Sequence, residues 1–394
     1  MDAIIIENLD VVFGQKQSKA TQLLDEGKTR QEIIDETGLV VGVDNVSLKV
    51  KEGEICVLMG LSGSGKSSLL RAVNGLNRIT RGSLKVKDGE QLVELANCEE
   101  NTLRDLRTHR VSMVFQKFAL MPWLTVIDNV AFGLEMQGIP KQERRNKARQ
   151  QLEMVGLSEW ESKYPHELSG GMQQRVGLAR AFAMDSDILL MDEPFSALDP
   201  LIRTQLQDEL IQLQKKLNKT ILFVSHDLDE ALKIGNNIAI MESGKLIQHG
   251  RPEQIILEPE NDYVKDFVAH TNPLNVLKGR SLMQLREELV EKEQQVQICA
   301  QQQLWVVQNE QGLQLVNSEK TLLDWQSVGG DLEEIGSSTV VVANADITMR
   351  EAIELKQRSA QPIIMVEDEK LVGVLSDNEL YDALLGNFKT KQVA

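Results

Sequence analysis

The most informative segment of this 394-residue sequence spans residues 60–67 and reads Gly60-Leu61-Ser62-Gly63-Ser64-Gly65-Lys66-Ser67. It fits the pattern Gly-x-x-x-x-Gly-Lys-Ser/Thr and directly follows residues 54–59, a short and mainly apolar run that predicts a buried strand. Ser68 and the residues after it are able to continue as a helix. A strand, a glycine-rich loop and a helix in this order predict a loop whose backbone amides surround phosphate oxygens. The alternative is a glycine-rich turn without a ligand.

The side chains of this loop fit a nucleoside triphosphate. Lys66 is expected to neutralise the β and γ phosphates, and the hydroxyl of Ser67 is expected to bind Mg²⁺. A similar tripeptide begins at Gly27, but Gln22 stands where the first glycine belongs and no strand precedes it. That second tripeptide therefore predicts an ordinary turn.

A second apolar run, residues 188–191, ends in two acids, Asp192 and Glu193. On a buried parallel strand both carboxylates would lie at the carboxyl edge of the sheet, where a phosphate loop also lies. Asp192 is expected to hold Mg²⁺, directly or through water, and Glu193 to polarise the water that attacks the γ-phosphate. Taken alone, the pair fits a strand end with solvated acids equally well; the phosphate loop upstream favours the functional interpretation.

Composition limits the classes of protein to consider. The chain has 43 Lys and Arg against 59 Asp and Glu, a net charge of −16, so bulk binding to nucleic acid is not expected. Cys56, Cys98 and Cys299 are too far apart for a zinc motif, which favours reduced thiols. No apolar run approaches the roughly 20 residues that span a bilayer. Any membrane role is therefore expected to come through a partner.

Residues 168–175 connect the sequence to a known family. They read Leu168-Ser169-Gly170-Gly171-Met172-Gln173-Gln174-Arg175 and resemble the signature segment of ABC-transporter ATPases. The match extends to Gln116, to residues 196–199, which end in Asp199, and to His226, in the order that the family uses. The resemblance covers about residues 1–250. It implies an α/β fold, the P-loop NTPase core of an ABC ATPase with an inserted helical subdomain.

The resemblance also implies cofactors and residue roles. ATP and Mg²⁺ are the expected cofactors. The catalytic residues would be Glu193, His226 and Gln116, and the metal ligands would be Ser67, Gln116 and Asp192. Phe13 resembles the aromatic residue that stacks on adenine, with a phenylalanine of the strand core as the alternative. The implied nucleotide-binding residues are Gly60, Leu61, Ser62, Gly63, Ser64, Gly65, Lys66, Ser67, Ser68, Phe13, Ser169, Gly170, Gly171 and Asp199.

A second copy of the chain is the first expected partner. Two glycines after Ser169 at a helix start form an anion site that lacks a lysine and a metal ligand. The resemblance implies that Ser169 and Gly171 of one subunit contact the γ-phosphate held by Lys66 of the other. Two ATP molecules would then lie between the subunits of a head-to-tail dimer.

A transmembrane permease is the second expected partner. Residues 118–127 carry no charge within a helical region that is otherwise polar. We expect a groove there for cytoplasmic helices of the permease, contacted by Phe118, Met121 and Trp123, with a local hydrophobic core as the alternative for half of the segment. A substrate-binding protein would act indirectly. The expected location is peripheral, on the cytoplasmic face of the bacterial inner (plasma) membrane.

The expected domain division follows from the pattern along the sequence. Between Lys16 and Thr37 apolar residues recur at helical spacing, with a break near Gly27, and predict two short helices. Residues 1–274 would form the ATPase domain, with a helical insertion at about residues 15–42 and a helical subdomain at about residues 103–171. Residues 275–394 would form a smaller α+β regulatory domain similar to cystathionine-β-synthase (CBS) modules; a dimerisation or packing domain is the alternative. The second module is expected at about residues 340–386.

The first of these modules is expected to be degenerate. A segment rich in Gln and Glu, residues 282–297, predicts a helix near the start of the domain. In the second module Ser376 is followed by Glu379, where modules that bind adenosyl ligands often carry an aspartate, so such a ligand is not expected.

Three further segments narrow the family. The helical insertion, residues 119–122 and residues 195–203 resemble the ATPases of glycine betaine/proline and choline importers. This implies a subunit that hydrolyses ATP to power import of a quaternary amine osmoprotectant: glycine betaine, choline or proline betaine. The alternatives are an importer ATPase for another small solute, such as an amino acid, and a soluble ABC ATPase outside transport. The permease and binding protein select the solute, so this sequence does not name it.

Overall fold

The computed structural model describes residues 1–269, 272, 274, 276–309, 312–316, 320–324 and 335–385. The chain divides into two compact units, residues 1–255 with 260–264, and residues 256–259 with the residues from 265 onward. Of the helices in the described ranges, none has the length and apolar character needed to cross a membrane.

The first unit contains both strands and helices. Its strands are β1 (Asp2–Phe13), β2 (Val40–Lys51), β3 (Ile55–Met59), β4 (Arg81–Asp88), β5 (Gln91–Glu94), β6 (Val111–Val114), β7 (Ile188–Asp192), β8 (Thr220–Val224), β9 (Asn237–Glu242) and β10 (Lys245–Gly250). Its helices are α1 (Gln17–Asp25), α2 (Arg30–Thr37), α3 (Lys66–Val73), α4 (Glu100–His109), α5 (Val126–Met136), α6 (Lys141–Met154), α7 (Gly170–Ala183), α8 (Pro200–Leu217) and α9 (Leu228–Ile234), with short 3₁₀ helices at Ser158–Trp160 and Pro165–Glu167. Helices α10 (Pro252–Leu257) and α11 (Asp262–Val268) follow at the boundary between the units.

A six-stranded sheet positions the candidate site. Its order is β10-β9-β3-β8-β7-β6, and every neighbouring pair except β10-β9 is parallel. Strands β3, β6, β7 and β8 bury all of their residues, as continuous apolar runs predict. In the registers of these strands, Leu58 and Asp192 both pair with Val224. The segments that follow β3, β7 and β8 therefore begin at the same edge of the sheet.

A four-stranded antiparallel sheet, in the order β2-β1-β4-β5, completes the core of the first unit. From Val46 to Lys51 the side chains alternate between buried and exposed, which is typical of a sheet with one solvated face. Its buried residues form one cluster with those of the parallel sheet and α3, including Leu48, Leu58 and Leu70.

Two groups of helices pack outside this core. Helices α1 and α2 lie within the predicted insertion at about residues 15–42 and are joined by the turn predicted at Gly27. The helical subdomain predicted at about residues 103–171 includes β6. Strand β6 belongs to the parallel sheet, whereas α5, α6 and α7 share a hydrophobic core that extends to Ala183. A buried run of four residues is too short for its periodicity to separate it from the helical pattern around it.

The second unit contains two further sheets. Its elements are α12 (Gly279–Leu282), β11 (Gln284–Leu285), β12 (Glu291–Lys292), β13 (Gln295–Cys299), β14 (Leu304–Asn309), β15 (Gly312–Val316), β16 (Thr321–Asp324), β17 (Thr339–Asn344), α13 (Met349–Arg358), β18 (Ile363–Glu367), β19 (Lys370–Leu375) and α14 (Asp377–Leu384), with a 3₁₀ helix at Arg286–Glu288. One sheet has the mixed order β11-β19-β18-β17-β16, and the other has the antiparallel order β12-β13-β14-β15.

Two predictions for this unit can be compared with its elements. The helix predicted over residues 282–297 is wrong, because the chain beyond Leu282 forms short strands and a 3₁₀ turn. Val296 and Ile298 both belong to a hydrophobic cluster and alternate with the half-buried Gln295 and Gln297, the pattern of a strand with one buried face. Residues 340–385 contain most of β17, then α13, β18, β19 and α14. The predicted end of this module at 386 and the predicted boundary residue 275 lie outside the described residues.

Candidate active site

The phosphate loop, residues 60–65, joins β3 to α3 through backbone conformations that favour glycine. The φ angles of Gly60, Gly63 and Gly65 are 138°, 80° and 103°. A Cβ at Gly60 would lie 2.1 Å from the carbonyl oxygen of Met241, and one at Gly65 would lie 2.3 Å from that of Gly42. Because these neighbours are backbone atoms, a larger residue would have to displace the loop.

Lys66, the first residue of α3, folds back onto this loop. Its Nζ donates to the carbonyl oxygens of Gly60 at 2.7 Å and Leu61 at 3.0 Å. Burial lowers the pKa of Lys66, and the nearby carboxylates of Glu193 and Asp192 oppose that shift. The loop thus holds a largely buried ammonium group that can exchange carbonyl partners for phosphate oxygens.

Asp192, the last residue of β7, is fully buried beside the start of α3. Its Oδ1 accepts a hydrogen bond from Ser67 Oγ at 2.7 Å, and its Oδ2 accepts one from Arg71 Nη2 at 3.1 Å. A carboxylate and a hydroxyl in contact fit a hard divalent cation such as Mg²⁺. No cluster of three or more His, Cys, Asp or Glu side chains in the described part of the chain could hold a metal by itself. A cation here therefore needs phosphate oxygens or water to complete its coordination.

Glu193 is the point where three segments converge. Its Oε2 accepts a hydrogen bond from Gln116 Nε2 at 3.2 Å and lies 3.2 Å from His226 Nδ1. Gln116, Glu193 and His226 follow β6, β7 and β8, three adjacent strands. Glu193 also has a φ of 49°, which is uncommon for a residue other than glycine and occurs often at functional sites. The structure thus brings the three predicted catalytic residues together.

Phe13 ends β1 close to the phosphate loop. The Phe13 ring and the Ser68 hydroxyl both lie next to the backbone of Gly42. A Cβ added at Gly42 would lie 2.6 Å from Cε2 of the Phe13 ring and 3.1 Å from Ser68 Oγ. The Phe13 side chain is 39% exposed. The ring is therefore not part of the strand core, and one part of it is accessible to a ligand.

The signature segment, residues 168–175, lies at the start of α7. Ser169 is the N-cap of this helix and accepts a hydrogen bond from Met172 N at 3.4 Å. Asp199 similarly caps α8 by accepting from Ile202 N at 3.1 Å. Ser169, Gly170 and Asp199 are exposed. Among the described residues, no hydrogen bond joins this segment to the phosphate loop of the same chain.

The uncharged segment at residues 118–127 divides into a buried and an exposed part. Phe118 and Met121 are half-buried, and Trp123 is 72% exposed. Val126 and Ile127, in contrast, belong to the core shared by α5, α6 and α7. The expectation of a local hydrophobic core is therefore correct for the second part of the segment, whereas Trp123 lies at the surface.

Four residues near the site have no role in the sequence-based assignment. Arg71 is one helical turn after Ser67, a spacing that places both on one face and could have revealed it. Gln174 donates to Glu193 O at 3.4 Å and accepts from Ala197 N at 3.2 Å. The contacts of Arg180 and Arg30 join residues far apart in the sequence, so no local signal predicts them. Arg180 donates to the carbonyls of Phe118 and Ala119, and Arg30 donates to that of Gly63.

Comparisons with known proteins identify the family. A family model described as ABC transporter matches residues 43–196, and one described as CBS domain matches residues 332–386. The chain is 41% identical to the glycine betaine transport ATP-binding protein OpuAA of Bacillus subtilis, over 98% of this chain and 93% of the relative. It is 50% identical to the glycine betaine/proline betaine transport system ATP-binding protein ProV of Escherichia coli, over 70% of this chain and 68% of the relative.

A solved structure supports the same assignment. The chain resembles the dimeric, post-hydrolysis structure of the ATP-binding cassette MJ0796 bound to ADP and Pi. The TM-score is 0.55 and the identity 28%, over 63% of this chain and 98% of that one. The predicted fold, an ABC ATPase core followed by a CBS-like domain, and the predicted family of ATP-hydrolysing transport subunits are confirmed. The chain belongs to the ABC-transporter ATPases, in the family of ATP-binding subunits that serve glycine betaine and related quaternary-amine transporters.

Proposed function

We propose that this chain binds and hydrolyses ATP to drive import of a quaternary amine, such as glycine betaine, proline betaine or choline, through a membrane permease. The observation that carries the proposal is the arrangement around one carboxylate. Glu193 lies within 3.2 Å of both Gln116 and His226, and its charge acts on Lys66 in the phosphate loop. This arrangement supports a site in which Glu193 acts as the base, Gln116 and His226 as orienting groups, and Lys66 as the cation that binds phosphate.

ATP would bind with its phosphates on the phosphate loop and its adenine on Phe13. Lys66 would exchange its bonds with Gly60 and Leu61 for bonds with the β and γ phosphates. When bound, Mg²⁺ would be held by Ser67, Asp192 and Gln116 and would neutralise charge on those phosphates. The proposed phosphate contacts are Gly60, Leu61, Ser62, Gly63, Ser64, Gly65, Ser67 and Ser68.

Hydrolysis follows from the position of Glu193. Its carboxylate would accept a proton from water as the water oxygen bonds to the γ-phosphorus and the bond from that phosphorus to the β–γ bridging oxygen breaks. Gln116 and His226 would fix the directions of the water and the γ-phosphate. Because His226 is 63% exposed while Glu193 is mostly buried, the histidine is accessible from the solvent side of the site.

A second copy would complete the site from the solvent side. The N-caps Ser169 and Asp199 are exposed, and so is Gly170, while Gly171 lies beside them. Large apolar side chains are exposed close to both halves of the expected interface, Leu61 at 63% and Leu201 at 78%. We infer a head-to-tail dimer in which Ser169, Gly170, Gly171 and Asp199 of one chain contact the nucleotide on the other.

The transport partners follow from the exposed part of residues 118–127. Phe118, Met121 and Trp123 are the proposed permease contacts, because an exposed tryptophan next to two half-buried apolar residues fits an amphipathic helix of a partner. The chain would act at the cytoplasmic face of the inner membrane, with the substrate-binding protein acting only through the permease. The predicted C-terminal domain, residues 275–394, would regulate this cycle.

In the CBS-like module of this domain, one carboxylate oxygen of Glu379 bonds to Ser376. Ser376 N donates to Glu379 Oε2 at 3.0 Å, and the Ser376 hydroxyl bonds to the same oxygen, so the pair caps α14. This capping arrangement supports the expectation that the module does not bind an adenosyl ligand through these two residues.

Phosphate release and solute uptake test the proposal. The purified chain is expected to release phosphate from MgATP, and Glu193→Gln to bind MgATP while losing at least about 100-fold in turnover. With its permease and binding protein in liposomes, the parent is expected to take up labelled glycine betaine in preference to an amino acid. A parent that fails to bind MgATP would refute the ATPase, and preferential uptake of an amino acid would refute the substrate.

A further inference from the structure

We infer that the helical insertion, residues 15–42, supports the nucleotide site, with Arg30 as a positioning residue for the phosphate loop. The inference rests on the proposed binding of ATP to that loop. Arg30 is the first residue of α2, and its Nη1 donates to the carbonyl oxygen of Gly63 at 3.0 Å. The motifs quoted from the sequence do not contain Arg30.

In the middle of the phosphate loop, Leu61 has hydrogen-bond partners outside the loop, Lys66 Nζ at 3.0 Å and Tyr263 Oη at 3.4 Å, whereas among the hydrogen bonds described only that of Arg30 reaches Gly63. Residues 61–63 are exposed, and no heavy atom lies within 4 Å of the position that a Cβ would take at Gly63. Gly63 has a φ of 80°, and because it has no Cβ its backbone can adopt many other conformations. A hydrogen bond from a separate element therefore removes freedom at this glycine.

Arg30 is itself held in a fixed place. Thr29 caps α2 in a reciprocal arrangement with Glu32, whose Oε2 accepts from Thr29 N at 2.7 Å. Ile33, one turn after Arg30, is fully buried in a small core with Ala20 and Val12. The guanidinium thus extends from a capped and packed helix, and its ordering costs less entropy than that of an arginine on a mobile loop.

Arg81 provides a second anchor for the insertion. Its Nη1 lies 2.7 Å from Asp25 Oδ1 at the end of α1, and its Nε lies 2.6 Å from Asp10 Oδ2. Asp10 is fully buried in β1, and its other oxygen accepts from Asn45 N at 2.7 Å. The insertion is thus connected to the antiparallel sheet by Arg81 and to the phosphate loop by Arg30.

The charge of Arg30 acts in the same direction as its hydrogen bond. Burial lowers the pKa of Arg30, and Asp44 opposes that shift, but a guanidinium stays protonated. Asp44 itself lies 3.4 Å from Lys245 Nζ, so its negative charge is shared. A cation beside the loop favours the phosphates of a nucleotide over the empty loop.

Nucleotide affinity tests this role. Arg30→Met keeps the length of the side chain but removes its donors and charge, and Arg30→Lys keeps the charge. Lys28→Met is the matched control, because Lys28 lies in the same insertion and pairs with Glu36 instead of the loop. We expect Arg30→Met to raise the Kd for MgATP and MgADP about three- to tenfold, Arg30→Lys to recover part of this loss, and Lys28→Met to stay within about twofold.

Further measurements separate a positioning role of Arg30 from a role in the stability of the fold alone. For positioning, we expect the KM for ATP to rise in Arg30→Met while kcat and the Tm of the nucleotide-free chain stay at the parental values. Parental nucleotide affinity in Arg30→Met would overturn the inference. So would a loss of affinity matched by Lys28→Met, or one that appears only together with a lowered nucleotide-free Tm. If Arg30→Met does not fold, Arg30→Lys decides by the same criteria. A parent chain that binds no MgATP would instead refute the proposed function.

Discussion

Two glycine-rich helix starts in this chain have similar sequences and different surroundings. The phosphate loop before α3 is followed by a buried cation, Lys66, and lies beside a hydroxyl–carboxylate pair, Ser67 and the buried Asp192. The signature segment at the start of α7 has an exposed N-cap, Ser169, bonded only within its own helix among the hydrogen bonds described. Both can offer backbone amides to an anion. Only the first also supplies charge and metal ligands, so we infer that the second serves a nucleotide that is already bound elsewhere.

Removing the cation tests the first half of this comparison and should have the largest effect. We expect Lys66→Met to weaken MgATP binding by about 100-fold or more, because the phosphates lose a charge-assisted partner inside a partly buried site. Isothermal titration with MgATP measures the loss. Lys49→Met is the control, since Lys49 is exposed on β2. Equal affinities in Lys66→Met and the parent would remove the basis of the comparison.

A substitution in the signature segment should affect hydrolysis and spare binding. A Cβ at Gly171 would have no neighbour closer than 3.5 Å, so Gly171→Asp is compatible with the fold of the single chain. Its carboxylate would face the γ-phosphate held by a second copy. We expect phosphate release to fall about 100-fold and the Kd of the single chain for MgATP to change by less than about threefold.

Mixing the two variants separates the dimer from an isolated active chain. A dimer of Lys66→Met with Gly171→Asp has one composite site with an intact loop and an intact signature segment. The mixture is therefore expected to release phosphate although each variant alone is nearly inactive. If the mixture stays as inactive as its components, either the two segments do not meet across an interface or one damaged site silences both. A Glu193→Gln variant that stays monomeric in saturating MgATP would then show that the two segments do not meet across an interface.

Replacing Arg71 tests another difference between the two helix starts. Of the two, only the start of α3 lies next to a buried carboxylate, that of Asp192, and Arg71 bonds to it. Arg71→Met leaves Asp192 fully buried with one hydrogen-bond partner, Ser67, in place of two. The Arg71 side chain is 43% exposed, so solvent weakens the lost ion pair. We expect the free energy of unfolding to fall by about 1–3 kcal/mol.

Urea titration of the nucleotide-free chain measures this change. The double variant Arg71→Met, Asp192→Asn should lose less than the sum of the two single changes, since the neutral amide does not need the guanidinium. Additive losses would show that Arg71 contributes through packing and not through Asp192.

Local pattern predicted the parts of the site that lie on continuous segments. The loop at residues 60–67 and the acids after β7 follow from motifs of fewer than ten residues, and α1 and α2 were predicted from their periodicity. Composition misled the prediction for residues 282–297, where abundant Gln and Glu suggested a helix. In the strand that begins at Gln295, the buried Val296 and Ile298 instead alternate with half-buried glutamines.

Contacts between distant segments had no such signal. The bond from Arg30 to Gly63 spans 33 residues, and the bonds from Arg180 to the segment after Gln116 span about 60. Both depend on how helices pack against loops, a consequence of the tertiary fold that no window of the sequence contains. For the same reason, the residues of the site could be predicted from the sequence, whereas the arginines that bond to its loops were found only in the structure.

The smallest expected effect concerns the cap of α7. Ser169→Ala removes an acceptor 3.4 Å from Met172 N, a long hydrogen bond at an exposed helix start, so we expect a loss of only about 0.5–1 kcal/mol in the free energy of unfolding. Ser169→Thr keeps the cap and serves as the control. The effect on hydrolysis should be larger than this loss of stability predicts, because the hydroxyl would also face the γ-phosphate of the other subunit. A stable Ser169→Ala chain with parental turnover would assign Ser169 to the helix alone.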